Sequence, residues 1–74
     1  MDKAIEIIKG ELKFANEQLG IYKSSLKHNT FENIETFNAY RAFMNGYQIA
    51  KWQERVDTLK CLMLVLEHEK RSQQ

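Results

Sequence analysis

The side chains with the clearest potential for chemistry lie near the C-terminus, in the run Glu67-His68-Glu69. Carboxylates and imidazoles are common metal ligands. Neighbouring residues of a helix, however, point about 100° apart, so one ion cannot easily gather all three side chains. The spacings from Glu67 to Lys70 and from Glu67 to Arg71 instead suit exposed ion pairs. We therefore predict a solvated helix face here and no metal site.

Nucleophilic catalysis has little support in the sequence. Cys61 is the only cysteine, it has no histidine close by in the sequence, and it lies in an apolar stretch, so we predict a buried and unreactive thiol. There is no Gly-rich phosphate loop, no Ser/His/Asp set and no plausible carboxylate pair. The sequence therefore predicts a non-enzymatic protein without catalytic residues or cofactors.

Basic residues in the second half of the chain are candidates for contacts with phosphates: Arg41, Lys51, Arg55 and Lys60. Their helical angles scatter, and Glu54 and Asp57 lie among them. The whole chain has 11 basic and 10 acidic residues, without the basic excess typical of proteins whose main partner is nucleic acid. A small helical nucleic-acid-binding or regulatory protein is therefore kept as the alternative function.

The composition predicts an all-α fold in one domain over residues 1–74. Proline is absent, there are only three glycines, and helix-forming residues dominate. The longest apolar run, residues 61–66, is far shorter than the roughly 20 residues needed to span a bilayer, and the N-terminus lacks the apolar core of a signal peptide. We expect a soluble cytoplasmic protein without a membrane partner.

The first helix is predicted over residues 2–28. Its apolar residues alternate in steps of three and four and form a heptad seam: Ile5, Ile8, Leu12, Ala15, Leu19, Tyr22 and Leu26. A second apolar row, Ile7, Phe14 and Ile21, recurs every seven residues beside this seam. The resulting face is wider than one helix contact needs, which favours burial against more than one neighbour.

The second helix is predicted over residues 30–70, after a short turn in which Asn29 or Thr30 caps the helix. So short a connection predicts an antiparallel hairpin. Asn45-Gly46 is a strong turn signal, and a break there would give a three-helix bundle instead. In a continuous helix, the apolar residues before Gly46, beginning with Phe31, lie on the same face as the apolar residues after it. We therefore predict one continuous helix.

A continuous helix gives Gly46 a possible role in close packing. Small residues recur there at helical spacing: Ala39, Ala42, Gly46 and Ala50. A short turn pairs residue 28 minus k with residue 30 plus k, which places Leu12 opposite Gly46. This register predicts that large side chains of the first helix pack onto this small-residue row.

The same register leaves the second helix uncovered beyond about residue 57, where the chain is most apolar. We therefore predict a protein interface on this helix, comprising Tyr40, Phe43, Met44, Tyr47, Trp52, Leu59, Leu62, Met63 and Leu66. Trp52 also belongs to the main apolar stripe of this helix, which comprises Ile49, Trp52, Val56, Leu59, Met63 and Leu66. The simplest way to cover these side chains is a homodimer of hairpins that forms a four-helix bundle.

The predicted function is a small protein–protein interaction module. It self-associates through helical packing and engages a larger protein as an inhibitor, an adaptor or a small assembly subunit. Its short length and lack of motifs are typical of accessory proteins encoded by phages or mobile elements. In that case it would act in the host cytoplasm.

Overall fold

A computed structural model describes residues 2–29 and 38–72. Two α-helices, α1 (Asp2–His28) and α2 (Ala39–Ser72), pack against each other as an antiparallel hairpin. The molecule is a rod of 60 × 15 × 14 Å. The predicted all-α hairpin is therefore confirmed.

The α2 helix passes through Asn45-Gly46 without interruption. None of the described residues has a positive φ angle, so Gly46 adopts an ordinary helical conformation and not a left-handed turn. The alternative three-helix bundle with a break at this position is wrong.

The start of α2 differs from the prediction, because Asn38 is not helical and the helix begins at Ala39. The Asn38 Oδ1 atom accepts a hydrogen bond from the backbone N–H of Arg41 at 2.9 Å, which is the geometry of an N-cap. The Asn38 carbonyl also accepts the backbone N–H of Ala42 at 3.0 Å. The predicted helical residues 30–37, including Thr30 and Phe31, lie outside the described residues.

The connection between the helices is closed by Asn29, which is buried. Its Oδ1 atom accepts the backbone N–H of Asn38 at 2.7 Å, and its Nδ2 atom donates to the Asn38 carbonyl at 2.8 Å. The Asn29 N–H donates to the Leu26 carbonyl at the end of α1. Asn29 thus joins the end of α1 to Asn38, the residue that precedes α2.

This longer connection changes the register between the helices. Under the predicted register Phe14 would lie near residue 44, whereas its ring contacts that of Trp52. Similarly, Glu11 pairs with Arg55 at 3.1 Å. The partners in α2 therefore lie about eight residues further along than predicted, because the helices begin to pair at Asn29 and Asn38 and not across a turn of two or three residues.

The core follows the predicted apolar stripes. Every residue of the α1 seam is buried or half-buried. The central cluster comprises Ala15, Leu19, Val56 and Leu59, with Ile8, Leu12, Ile49 and Trp52 packed against it. The apolar pattern thus identified the contacting faces correctly, whereas the predicted short turn paired them in the wrong register.

The predicted small-residue row does not mediate close helix packing. Ala39, Gly46 and Ala50 are exposed, and Ala42 is half-buried. A Cβ atom added at Gly46 would have no neighbour within 4 Å, because this side of α2 does not face α1. The small residue in the helix contact is instead Ala15, which is fully buried.

Candidate protein interface

The first turns of α2 carry three exposed aromatic residues, Tyr40, Phe43 and Tyr47, which we call the aromatic patch. Their exposed fractions are 74%, 72% and 58%. Residues three and four apart lie on one face of a helix, so the three rings form one surface. Met44, predicted to belong with them, is half-buried. The aromatic part of the predicted interface is therefore accessible.

The predicted interface near the C-terminus divides into two groups. Leu59 and Met63 are buried in the hairpin, and Leu66 is half-buried. Their prediction as uncovered interface residues is wrong for Leu59 and Met63, because the shifted register brings the start of α1, where Ile5 is buried, alongside this part of α2. Leu62 remains exposed, as predicted.

Two further apolar side chains near Leu62, those of Leu64 and Val65, are exposed. Leu62 and Leu64 are two residues apart and point to nearly opposite sides of the helix, so the three do not form one continuous surface. Neither Leu64 nor Val65 is among the predicted interface residues. With the register corrected, the exposed residues are those that lie off the stripe formed by Leu59 and Met63.

Trp52 lies at the edge of the helix contact, half-buried against the core cluster. The rings of Trp52 and Phe14 form an edge-to-face contact, with 5.7 Å between their centroids and an interplanar angle of 82°. The Nζ atom of Lys51 lies 5.6 Å from the centroid of the indole ring. The buried indole Nε1 atom has no hydrogen-bond partner among the described residues. Trp52 thus packs within the hairpin, against the core cluster and Phe14.

The second apolar row of α1, Ile7, Phe14 and Ile21, is exposed along its whole length. We call these residues the α1 row, and their exposed fractions are 57%, 50% and 58%. The row is predicted from the sequence, but its residues are not among the predicted interface residues. The spacing of seven residues could have indicated a continuous exposed surface, since residues seven apart lie nearly on one line along a helix.

Polar side chains also connect the two helices. The buried Asn45 donates from Nδ2 to the hydroxyl of Ser25 at 3.0 Å. The pair between Glu11 and Arg55 is about half-exposed on both sides, so it contributes little to stability. A buried amide among apolar layers disfavours other registers, as it does in coiled coils.

The candidate phosphate-binding cations do not gather into one site. Arg55 pairs with Glu11, and Lys51 lies over Trp52. Arg41 is exposed beside the aromatic patch, and Lys60 is exposed as well. The arrangement gives no particular support to nucleic-acid binding.

The remaining candidates for chemistry are dispersed. Cys61 is exposed, contrary to the predicted buried thiol, because it lies on the face of α2 opposite to the buried Leu59 and Met63. The predicted ion pair between Glu67 and Arg71 forms at 3.9 Å. Within residues 2–29 and 38–72, no three His, Cys, Asp or Glu side chains are arranged to hold a metal ion.

No protein-family model matches this chain, and comparison with curated proteins and with solved structures finds no significant match. Neither α1 nor α2 combines the length and the apolar character required to cross a membrane.

Proposed function

We propose that the protein is a non-enzymatic protein–protein interaction module, which self-associates and also binds a larger protein. One observation supports this most directly. Among the described residues, nine large apolar or aromatic side chains are exposed, whereas only six hydrophobic residues are buried, and one of those is an alanine. Exposed apolar surface on this scale is typical of proteins that act in complexes.

The size of the chain supports the same conclusion. A chain of 74 residues buries a modest fraction of its surface, and small domains usually need additional stabilisation. The single cysteine excludes an internal disulfide. Association with other chains supplies the missing burial.

The aromatic patch is the proposed binding surface for the larger protein. Tyrosine, phenylalanine and arginine are enriched at the centres of interfaces, and Arg41 lies beside these rings. The patch covers about two turns of helix, which suits a groove on a larger partner. An inhibitor, an adaptor or an assembly subunit acting in the cytoplasm, encoded by a phage or mobile element, would use such a surface.

Capture experiments in the native host test this assignment. Tagged wild-type protein is compared with Phe43→Asp and with Glu54→Lys, an exposed control on the same helix. We expect one protein to be retained by the wild type and by Glu54→Lys, and to be lost with Phe43→Asp. Retention of the same proteins by all three baits would contradict the role of the aromatic patch.

A further inference from the structure

The α1 row has a sequence symmetry that suits pairing with an antiparallel second copy of the same row. Its order is Ile7, Phe14, Ile21, with equal spacing on both sides of the phenylalanine. The row is therefore the same when it is read in either direction. In an antiparallel pair of identical helices about a two-fold axis, residues equally distant from the axis face each other, so this row would place isoleucine against isoleucine and phenylalanine against phenylalanine.

We propose that two copies of the hairpin associate through their α1 rows, antiparallel to each other, about a two-fold axis at Phe14. In this arrangement Ile7 of each copy packs against Ile21 of the other, and the two Phe14 rings meet at the centre. The inference rests on the self-association in the proposed function and specifies its surface and direction.

The residues that flank the row on α1 are compatible with this pairing. On one flank, Glu11 would lie opposite Gln18 of the second copy, and on the other flank Glu17 would lie opposite Gly10. An added Cβ atom at Gly10 would have nothing within 4 Å, so space is available there for a facing side chain. Neither flank places like charges opposite each other.

Other surfaces of the same chain match the α1 row less well. The row extends over about 21 Å of helix, whereas the aromatic patch, from Tyr40 to Tyr47, extends over only about 10 Å. Trp52 of α2 contacts Phe14, but the charged ammonium of Lys51 lies over its ring, so this part of α2 is not a purely apolar surface. A second α1 row is the surface of matching length and apolar character.

Charge substitutions measured by sedimentation equilibrium test the pairing. Ile7→Glu and Ile21→Glu are each expected to weaken self-association at least tenfold, because each would bury a carboxylate against an isoleucine. The double variant Ile7→Glu/Ile21→Lys is expected to recover association to within about threefold of the wild type, since it places opposite charges together twice. Phe43→Glu, in the aromatic patch, is the matched control and should associate like the wild type.

Each alternative result has a distinct meaning. Self-association that survives Ile7→Glu but is lost with Phe43→Glu would overturn this inference and leave the self-association in the proposed function intact. A double variant that stays as dissociated as the single variants would contradict the antiparallel direction. A wild type that is monomeric throughout would contradict both proposals. Because both isoleucines are exposed, the variants should keep wild-type helix content by circular dichroism.

Disulfide cross-linking measures the direction independently, in a Cys61→Ser background. Two Ile7 positions related by the proposed axis lie about 21 Å apart along the helix, too far for a disulfide, which needs Cα atoms within about 7 Å. Ile7→Cys alone should therefore not cross-link, whereas Ile7→Cys/Ile21→Cys should form a covalent dimer on mild oxidation. Efficient cross-linking of Ile7→Cys alone would show a parallel arrangement and overturn the proposal.

Discussion

At the scale of single residues, the hydrogen bond between Asn45 of α2 and Ser25 of α1 helps to fix the register of the two helices. Asn45 is buried, and its Nδ2 atom donates a hydrogen bond to the Ser25 hydroxyl. A buried donor that loses its acceptor costs about 1–3 kcal/mol, whereas replacing serine with alanine in a helix gains about 0.5 kcal/mol. The hydrogen bond should therefore outweigh the helix propensity.

We predict that Ser25→Ala lowers the free energy of unfolding by about 0.5–2 kcal/mol, measured by urea denaturation. Ser24→Ala is the matched control, because Ser24 is exposed in the same turn of α1. This control should be neutral or slightly stabilising. Equal stability of the two variants would show that the bond from Asn45 to Ser25 contributes nothing.

At the scale of helices, Gly46 lies in the interior of α2 with a helical conformation and open space around it. Gly46→Ala should therefore stabilise the protein by about 1 kcal/mol, through helix propensity alone. Gly46→Leu should be tolerated for the same reason, since α1 does not approach this side of α2. The measurement is again urea denaturation.

Ala50→Gly provides the control for this prediction, because Ala50 is exposed in the same helix. It should cost about 1 kcal/mol. Destabilisation by Gly46→Ala would mean that the glycine is needed for a turn or for close packing, in contradiction to a continuous exposed helix.

The connection between the helices depends on two asparagines with different tasks. Asn38→Ala removes the N-cap of α2 and should cost about 1 kcal/mol, whereas Asn38→Asp should keep the cap. Asn29→Ala should cost more, about 1–3 kcal/mol, because it removes both hydrogen bonds to the Asn38 backbone. Thermal or urea denaturation distinguishes these cases, and an Asn29→Ala variant as stable as the wild type would refute the role of this residue.

The sequence predicted the helices and their contacting faces because both depend on local periodicity. The seam from Ile5 to Leu26 and the stripe around Val56 are visible as steps of three and four residues. The register could not be obtained in this way, since it depends on where the connection closes. That closure rests on hydrogen bonds between Asn29 and Asn38, nine residues apart, which no periodic pattern indicates.

The error in the register also explains the errors in the candidate site. The predicted register pairs α1 with residues that lie too early in α2. It therefore leaves Leu59 and Met63 uncovered and places Gly46 against α1. The aromatic patch was predicted correctly as an accessible surface, because it lies on the side of α2 that faces away from the apolar stripe in any register.

At the scale of the whole molecule, the hairpin is a thin rod with one layer of helix contact. Association that buries the α1 row would stabilise the folded state by mass action. The melting temperature should therefore rise with protein concentration, over a range from about 1 to 100 μM, when followed by circular dichroism. Ile7→Glu should abolish this dependence, while Phe43→Glu should retain it.

One hairpin leaves much of its apolar surface exposed, and we propose on that ground that the protein does not act alone. Sedimentation equilibrium of the wild-type protein measures whether copies of the hairpin associate. We predict a species of twice the 8.8 kDa chain mass at micromolar concentrations, dissociating only on further dilution. A stable folded monomer of 8.8 kDa up to hundreds of micromolar would contradict the claim.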